Sequence, residues 1–247
     1  MTSDTLEVGG AKHYGRLKAL AICVAMFAFY FALLKALGSL RAPLIPHLAP
    51  PPGAPALWWR VDLNVTLAGL TDVIAALVPV ALYLKLRGRS FAGLGFNRPG
   101  TILAWVAVLA GQAGLVWFDT HLGPVGKAPG ALGPYALLAS AVVGPCAALA
   151  EEPFFRGYLM DELQRGRFST TAQIAISGLF FGVAHVSYLT TPQGWSIPIF
   201  TGLLGMFWSG VYVMAKRSLW PTIVAHMIND AVLIPSIFYL IAAHFSR

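Results

Sequence analysis

Long stretches without charge alternate along this chain with short connections that hold most of its lysines and arginines. The apolar runs fall near 17–38, 64–86, 101–118, 133–163, 171–188, 196–215 and 219–243. Each is about the length a helix needs to cross the ~30 Å hydrocarbon layer of a bilayer. The pattern predicts an all-α fold, a polytopic membrane helical bundle of about seven to eight transmembrane helices. The last run has a further break near Pro235, which would divide it into a span and a short terminal helix. The first run follows Lys12, Arg16 and Lys18 in the manner of a signal peptide. Its apolar part, ALAICVAMFAFYFALLKALGSL, is too long for a typical signal h-region and is read as a retained span. A proline-rich connection, RAPLIPHLAPPPGAPALWWR, joins the first two runs and places Trp58 and Trp59 as interfacial aromatics.

Composition strengthens this picture. With 57% hydrophobic and 11% charged residues, the chain cannot be divided into the core and surface of a soluble domain. No internal repeat interrupts it, so 1–247 is read as one integral domain, with N-terminal helices in 1–132 and a catalytic helical core in 133–243. A net charge of +7 could mark a nucleic-acid partner in a soluble protein. Here the cations instead cluster at every second connection: Lys12, Arg16 and Lys18; Lys85, Arg87, Arg89 and Arg98; Arg165 and Arg167; Lys216 and Arg217. The intervening loops carry Arg41, Arg60 and Lys127. That alternation predicts an N-terminus on the cytoplasmic side and no nucleic-acid partner. Cys23 and Cys146 lie in apolar runs with no metal or disulfide spacing, and are read as small apolar side chains.

Against this background the ionisable residues within the runs stand out, because a charge at membrane depth is costly and marks a candidate site. They are Asp72, Glu151, Glu152, Arg156, His185, His226 and Asp230. Glu152 and Arg156 are i,i+4 with the acid first, a favourable ion-pair spacing. Glu151 is turned by about 100° from its neighbour and cannot share that partner equally. His185 lies i,i+4 from Phe181, and Asp230 lies i,i+4 from His226, so each pair projects from one helix face. Phe168 is midway in sequence between Glu151 and His185, which puts both roughly 20 Å along their helices from the turn QRGRFST. His226 and Asp230 come to about 10 and 16 Å along the last run, so tilt could bring all of these groups into one central polar cavity. Asp72 has no matching motif and is read as a structural polar contact. Pro153 removes an N–H and frees the carbonyl of Leu149, which predicts a kink and a water path beside the acids.

A glutamate in a dry cavity beside a histidine can take a proton from water and make a nucleophile for a carbonyl carbon. His226 and Asp230 could then stabilise an oxyanion, Asp230 if it is protonated. A zinc version of the same chemistry would use Glu151, His185 and His226 as ligands, although no HExxH is present. No GxSxG occurs, and AISG at Ala175–Gly178 lacks the first glycine of a GxSG motif, so a serine nucleophile is not favoured.

The motifs also resemble those of a known family. EEPFFRG (Glu151–Gly157) resembles EExxxR, FGVAH (Phe181–His185) resembles FxxxH, and HMIND (His226–Asp230) resembles HxxxN/D of the CPBP membrane proteases. That family includes CAAX-prenyl endopeptidases and bacteriocin-processing or immunity proteins, also called Abi. The motifs occur in the family's order over roughly 140–240, and FAGLGFNRP before the third run is similar to the family's upstream loop. The resemblance implies a glutamate-type intramembrane endopeptidase; no cofactor is the preferred expectation, with zinc as the alternative. Glu151 would be the general base, His185 would act on the attacking water, His226 and Asp230 would form the oxyanion pair, and Glu152 and Arg156 the structural ion pair. This chain carries Asp at 230 where CAAX-type members carry Asn. The expected partners are the bilayer and a membrane-associated or lipidated peptide, and a prokaryotic cytoplasmic membrane suits so compact a chain. Two other classes remain open: a non-enzymatic immunity or scaffold protein that keeps the cluster for helix packing, and a proton-coupled transporter using it as a relay.

Overall fold

The computed structural model of the protein describes residues 15–41, 43, 58–121, 144–186, 189 and 194–231. Among them every regular element is helical. Helix α1 is Arg16–Arg41 and α2 is Trp58–Arg87; a 3-10 turn at Phe91–Leu94 precedes α3, Ile102–His121. Helix α4 begins at residue 144, becomes a π-helix over Pro153–Leu159 and ends as Met160–Arg165. Helix α5 is Thr170–Ala184, α6 is Ser196–Met214, and α7 occupies 220–231. The structure is a membrane helical bundle. Three described helical stretches, Arg16–Arg41, Gly69–Arg87 and Ser196–Met214, are long and apolar enough to cross a membrane, and Ile102–Phe118 and Thr170–Ala184 are shorter apolar helices. Helix α2 starts earlier than the 64–86 run, so Trp58 and Trp59 open a helix and do not close the proline-rich connection. The rest of that connection lies largely outside the described residues, as do Lys12, Lys127, the beginning of the 133–163 run and the segment around Pro235.

Among the described residues the outward surface is apolar, and a set of polar and charged side chains is buried within an otherwise apolar core. Leu17, Leu86, Ile102, Leu103 and Leu203 are largely exposed, whereas Glu151, Glu152, Arg156, Glu162, Gln173 and His226 are buried. Such a surface suits lipid, where backbone groups must be satisfied within helices and costly charges turn inward. Both cysteines are free, and Cys23 is fully buried.

Helices α5 and α6 touch backbone to backbone. Gly178 and Gly182 on α5 meet Gly202 and Gly205 on α6, an arrangement of small residues that lets membrane helices approach closely. A methyl group at Gly182 would lie 2.7 Å from the Pro198 carbonyl oxygen and 3.1 Å from Gly202 Cα, neither of which can swing away. Gly182→Ala is therefore expected to force the pair apart at a cost of about 1–3 kcal/mol, read as a lowered melting temperature in detergent. Gly114→Ala, with open space around its Cβ, is the matched control.

The basic connections gather at one end of the bundle. Arg87 pairs with Glu162 at 3.3 Å, Arg89 pairs with Asp161, and Asp161 also holds Arg165 at 2.9 Å, which joins the end of α2 to the end of α4. Arg16, at the start of α1, lies over the ring of Phe168 in the α4–α5 turn at 5.9 Å. Arg98 donates to the Lys216 carbonyl at 2.8 Å, which joins the loop before α3 to the loop after α6. The α4–α5 turn closes through Arg167, whose φ of 57° is left-handed, and Ser169 then caps α5 by accepting from the Ala172 amide.

Pro153 has a specific effect on α4. It lacks an N–H, and the chain passes at that point into a seven-residue π-helix, Pro153–Leu159, in which every residue is buried. Mid-helix π segments of this kind occur often at functional sites. The segment follows directly on Glu151 and Glu152.

Candidate active site

Glu152 is the hub of the cluster. Its Oε1 accepts from Arg156 Nη1 at 3.0 Å, one turn along α4, and lies 3.0 Å from Nδ1 of His226 on α7. Neither the Glu152 nor the Arg156 side chain has any exposure. Because a guanidinium is always charged and only donates, Glu152 faces it as a carboxylate, and His226 Nδ1 must carry the hydrogen that bonds to Oε1. This fixes the tautomer and direction of the His226 ring. Glu152 is thus more than the ion-pair partner expected from its spacing, since it also orients the imidazole.

The Arg156 guanidinium sits among aromatic rings, 4.6 Å from the centroid of Phe181, 5.4 Å from Trp208 and 5.9 Å from Phe155. Its Nη2 donates to the Gly205 carbonyl at 3.2 Å, the point at which α6 comes closest to Phe181. Cation–π attraction is strongest where water is absent, so the cage offsets part of the cost of burying this charge. Phe181 belongs to both layers. Its ring is 4.9 Å from that of His185 and 5.9 Å from that of His226, so the two histidines flank one aromatic spacer. Trp208 covers the other side of His226 with ring centroids 4.7 Å apart.

The other nitrogen of His226, Nε2, faces the remaining acids: Asp230 Oδ2 at 3.5 Å on the same helix and Glu151 Oε2 at 3.9 Å across the bundle. Glu151 Oε2 is buried with no hydrogen bond from the protein. His185, which ends α5, has Nδ1 2.8 Å from the Phe181 carbonyl. A carbonyl only accepts, so Nδ1 carries the hydrogen, and Nε2 of the neutral ring is an acceptor. The structure therefore brings together Glu151, Glu152, Arg156, Phe181, His226 and Asp230 directly, and His185 through Phe181.

Several neighbours were not legible as part of this group. Asp72, on α2, accepts from the Tyr30 hydroxyl at 2.7 Å, which ties α2 to α1. Asn229 is buried next to Asp230 in sequence, and Thr222, also buried, donates its hydroxyl to the Leu219 carbonyl at 3.0 Å. The signal for Asn229 was its place inside HMIND; Asp72 carried none except its polarity at membrane depth.

The loop FAGLGFNRP fixes the start of the helix that bears His226. Leu219 donates its amide to the Gly95 carbonyl at 3.3 Å, and Trp220 Nε1 donates to the Phe96 carbonyl at 2.9 Å. Gly95 is irreplaceable in this contact, because its φ is +118° and a Cβ would lie 2.2 Å from the Arg217 carbonyl oxygen. Tyr212 adds a bond to the Leu94 carbonyl at 3.2 Å. The loop thus sets the height of α7 against α4.

Among the described residues no group of three or more His, Cys, Asp or Glu side chains is arranged to hold a metal ion.

No curated protein and no solved structure matches the chain. Residues 133–232, which hold α4 to α7 and all of the motif residues, match the family model described as Type II CAAX prenyl endopeptidase Rce1-like.

Proposed function

We propose that the chain is a CAAX-type membrane-embedded protease, the reading supported by the match of residues 133–232 to the Rce1-like family model, and that it hydrolyses a peptide bond of a membrane-associated or prenylated substrate with water activated by Glu151. The observation that carries this reading is the division of labour between adjacent acids. Each acid has a buried, unbonded Oε2, but Glu152 is committed through Oε1 to Arg156 and His226 at 3.0 Å each, while the ion-pair approach of Glu151 is the longer 3.9 Å to His226 Nε2.

In the proposed reaction Glu151 takes a proton from water, and the hydroxide adds to the carbonyl carbon. His185, with Nδ1 anchored on the Phe181 carbonyl, accepts from the same water through Nε2. His226 stabilises the oxyanion by donating from Nε2, for which it must be an imidazolium, since Nδ1 already donates to Glu152. The Glu152 carboxylate is placed to support that charge. Asp230, 3.5 Å from Nε2, completes the pair by accepting from His226 when ionised, or by donating to the oxyanion when protonated. The proton on Glu151 finally passes to the leaving amine. No step is routed through zinc, and the proposed enzyme works without a cofactor.

The gathered basic loops support an orientation with that end, and the N-terminus, in the cytoplasm, as in a prokaryotic cytoplasmic membrane. The substrate would then be cut from the cytoplasmic side. Fluorogenic peptides ending in a CAAX sequence, with and without a farnesyl group, test the proposal on purified protein in proteoliposomes. Wild type should cleave the farnesylated peptide in the presence of EDTA, and His226→Ala should lower kcat about 10²–10³-fold, as removal of an oxyanion donor does. Equal turnover by wild type and His226→Ala would refute the assignment, and loss of activity on chelation would refute the metal-free mechanism.

A further inference from the structure

Gln112 lies outside the segment that matches the family, in the middle of α3, and is 1% exposed. Among the described residues neither its Oε1 nor its Nε2 has a hydrogen bond. The side chain belongs to the inward face of α3, since Val108 and Ala104, about one and two turns earlier on that face, are fully buried. Its height follows from two contacts with α6, which runs antiparallel to α3. Thr101 donates its hydroxyl to the Met214 carbonyl at 3.0 Å, and ten residues further on a methyl group at Gly111 would lie 2.9 Å from Phe207 Cζ. Gln112 and Trp208, each next in sequence to one of that second pair, therefore lie within about 3 Å of the same level. The Trp208 ring covers His226 with centroids 4.7 Å apart, and its Nε1 is a second buried polar atom without a hydrogen bond.

We propose that Gln112 is a substrate-binding residue, whose amide pairs with the main chain of the peptide held at His226. The proposal rests on the hydrolase reading given above and names a group that binds its substrate. An amide in an apolar layer is costly unless it is bonded, so Gln112 calls for a partner that the fold does not supply. Packing alone would be served by an apolar residue, as at Ala104, Val108 and Leu115 on the same side of α3. The glutamine amide carries an acceptor and two donors on one planar group, and a peptide group presents the complementary N–H and C=O. The two pair edge to edge as neighbouring strands do, so the contact recognises the main chain and tolerates any side chain. A helical substrate has already used those groups internally, which means that Gln112 favours an unwound stretch beside the scissile bond. Trp208 Nε1, which only donates, suits a second substrate carbonyl at the same level.

The experiment measures kcat, KM and melting temperature for wild type, Gln112→Met, Gln112→Asn and Glu151→Gln. The substrates are the farnesylated CAAX peptide and versions of it N-methylated at one residue at a time on either side of the scissile bond. Methionine keeps the length of the side chain and removes both polar groups. Gln112→Met is expected to melt no lower than wild type, because an unpaired amide has left the interior, and to raise KM about tenfold with kcat within about twofold. At one position N-methylation should raise the wild-type KM by a similar factor and add nothing in Gln112→Met, which identifies the paired N–H. A packing or structural-water role would lower the melting temperature of Gln112→Met and leave KM in place, and an unmoved KM overturns the proposal. Equal N-methylation penalties in the two proteins at every position overturn it as well. If Gln112→Met does not fold, Gln112→Asn decides, since the shorter amide keeps the polarity but draws it back from the peptide. An unmoved KM then overturns the proposal, and a raised KM with the N-methylation penalty lost at one position supports it. Turnover by Glu151→Gln removes the hydrolase reading itself, whereas an inactive Glu151→Gln beside a Gln112→Met with wild-type KM removes this inference alone.

Discussion

Glu151→Gln lowers kcat by about three orders of magnitude in a protein that still folds, the expected result for loss of a general base. The amide keeps the shape and the hydrogen-bonding capacity of the carboxyl, but it cannot take a proton. Its neighbours give the fold little reason to fail, because the Glu151 side chain is 10% exposed and its Oε2 has no bond to lose. KM should stay near its wild-type value, since the interaction removed acts on water and not on the bound peptide. Glu152→Gln should behave differently although it lies one residue away. It weakens two bonds at 3.0 Å and leaves Arg156 buried without its counter-charge, so melting temperature and membrane abundance fall together with activity. Parallel turnover and melting measurements on the two variants check the division between them. Equal losses of stability would show that the acids share one role.

Arg156→Met should have the largest effect on stability. Breaking a buried ion pair from one side typically costs 3–5 kcal/mol, about half the stability of an ordinary domain, because the partner is left charged and unpaired. Here the stranded partner would be Glu152, fully buried in a layer of Phe155, Phe181 and Trp208. Methionine fills the volume and keeps contact with the rings, so the lost charge and the lost bond to the Gly205 carbonyl account for the damage. The double variant Arg156→Met, Glu152→Gln should regain much of the melting temperature, since removing both ions together is far less costly than removing one. It should not regain turnover, because His226 has still lost the carboxylate that sets its tautomer. Thermal melts of the single and double variants in detergent, alongside peptide cleavage, distinguish recovery of the fold from recovery of the chemistry.

How much of this was visible in the chain depends on the range of each interaction. The Glu152–Arg156 spacing and the two i,i+4 pairs are local, and helix geometry alone makes them readable. The alternation of basic connections was readable because topology rules act on short loops, and the contacts of Arg16, Arg87, Arg98 and Arg165 show those loops sharing one end of the bundle. The bond from Glu152 to His226 was not readable: it spans 74 positions and depends on how α4 and α7 are rotated about their axes. Asp72 was readable as a structural polar contact, but its partner was not, for the same reason. Its spacing to Tyr30 is 42 positions, and nothing in either helix's own pattern indicates that the two side chains meet. Pro153 could be recognised as a helix disruptor, but a proline leaves the choice between a kink and a widened turn to the packing around it. The aromatic cage of Arg156 draws on α4, α5 and α6, and Trp208 carries no motif of its own.

The π-helix gives α4 the character of a phase shifter. Upstream of Pro153 the helix turns Glu151 and Glu152 towards α7, and downstream of Leu159 it turns Asp161 and Glu162 towards the arginines at the end of α2. These two facings are set separately, because the wider turns between them absorb the angular difference. Deleting one residue from 153–159 and restoring ordinary helical winding would rotate one half against the other by about 100°. With the upstream half held by His226, the acids at the basic end would swing out of reach of Arg87 and Arg89. In this segment, therefore, the chain length between the two acidic pairs matters as much as the identity of the residues that fill it.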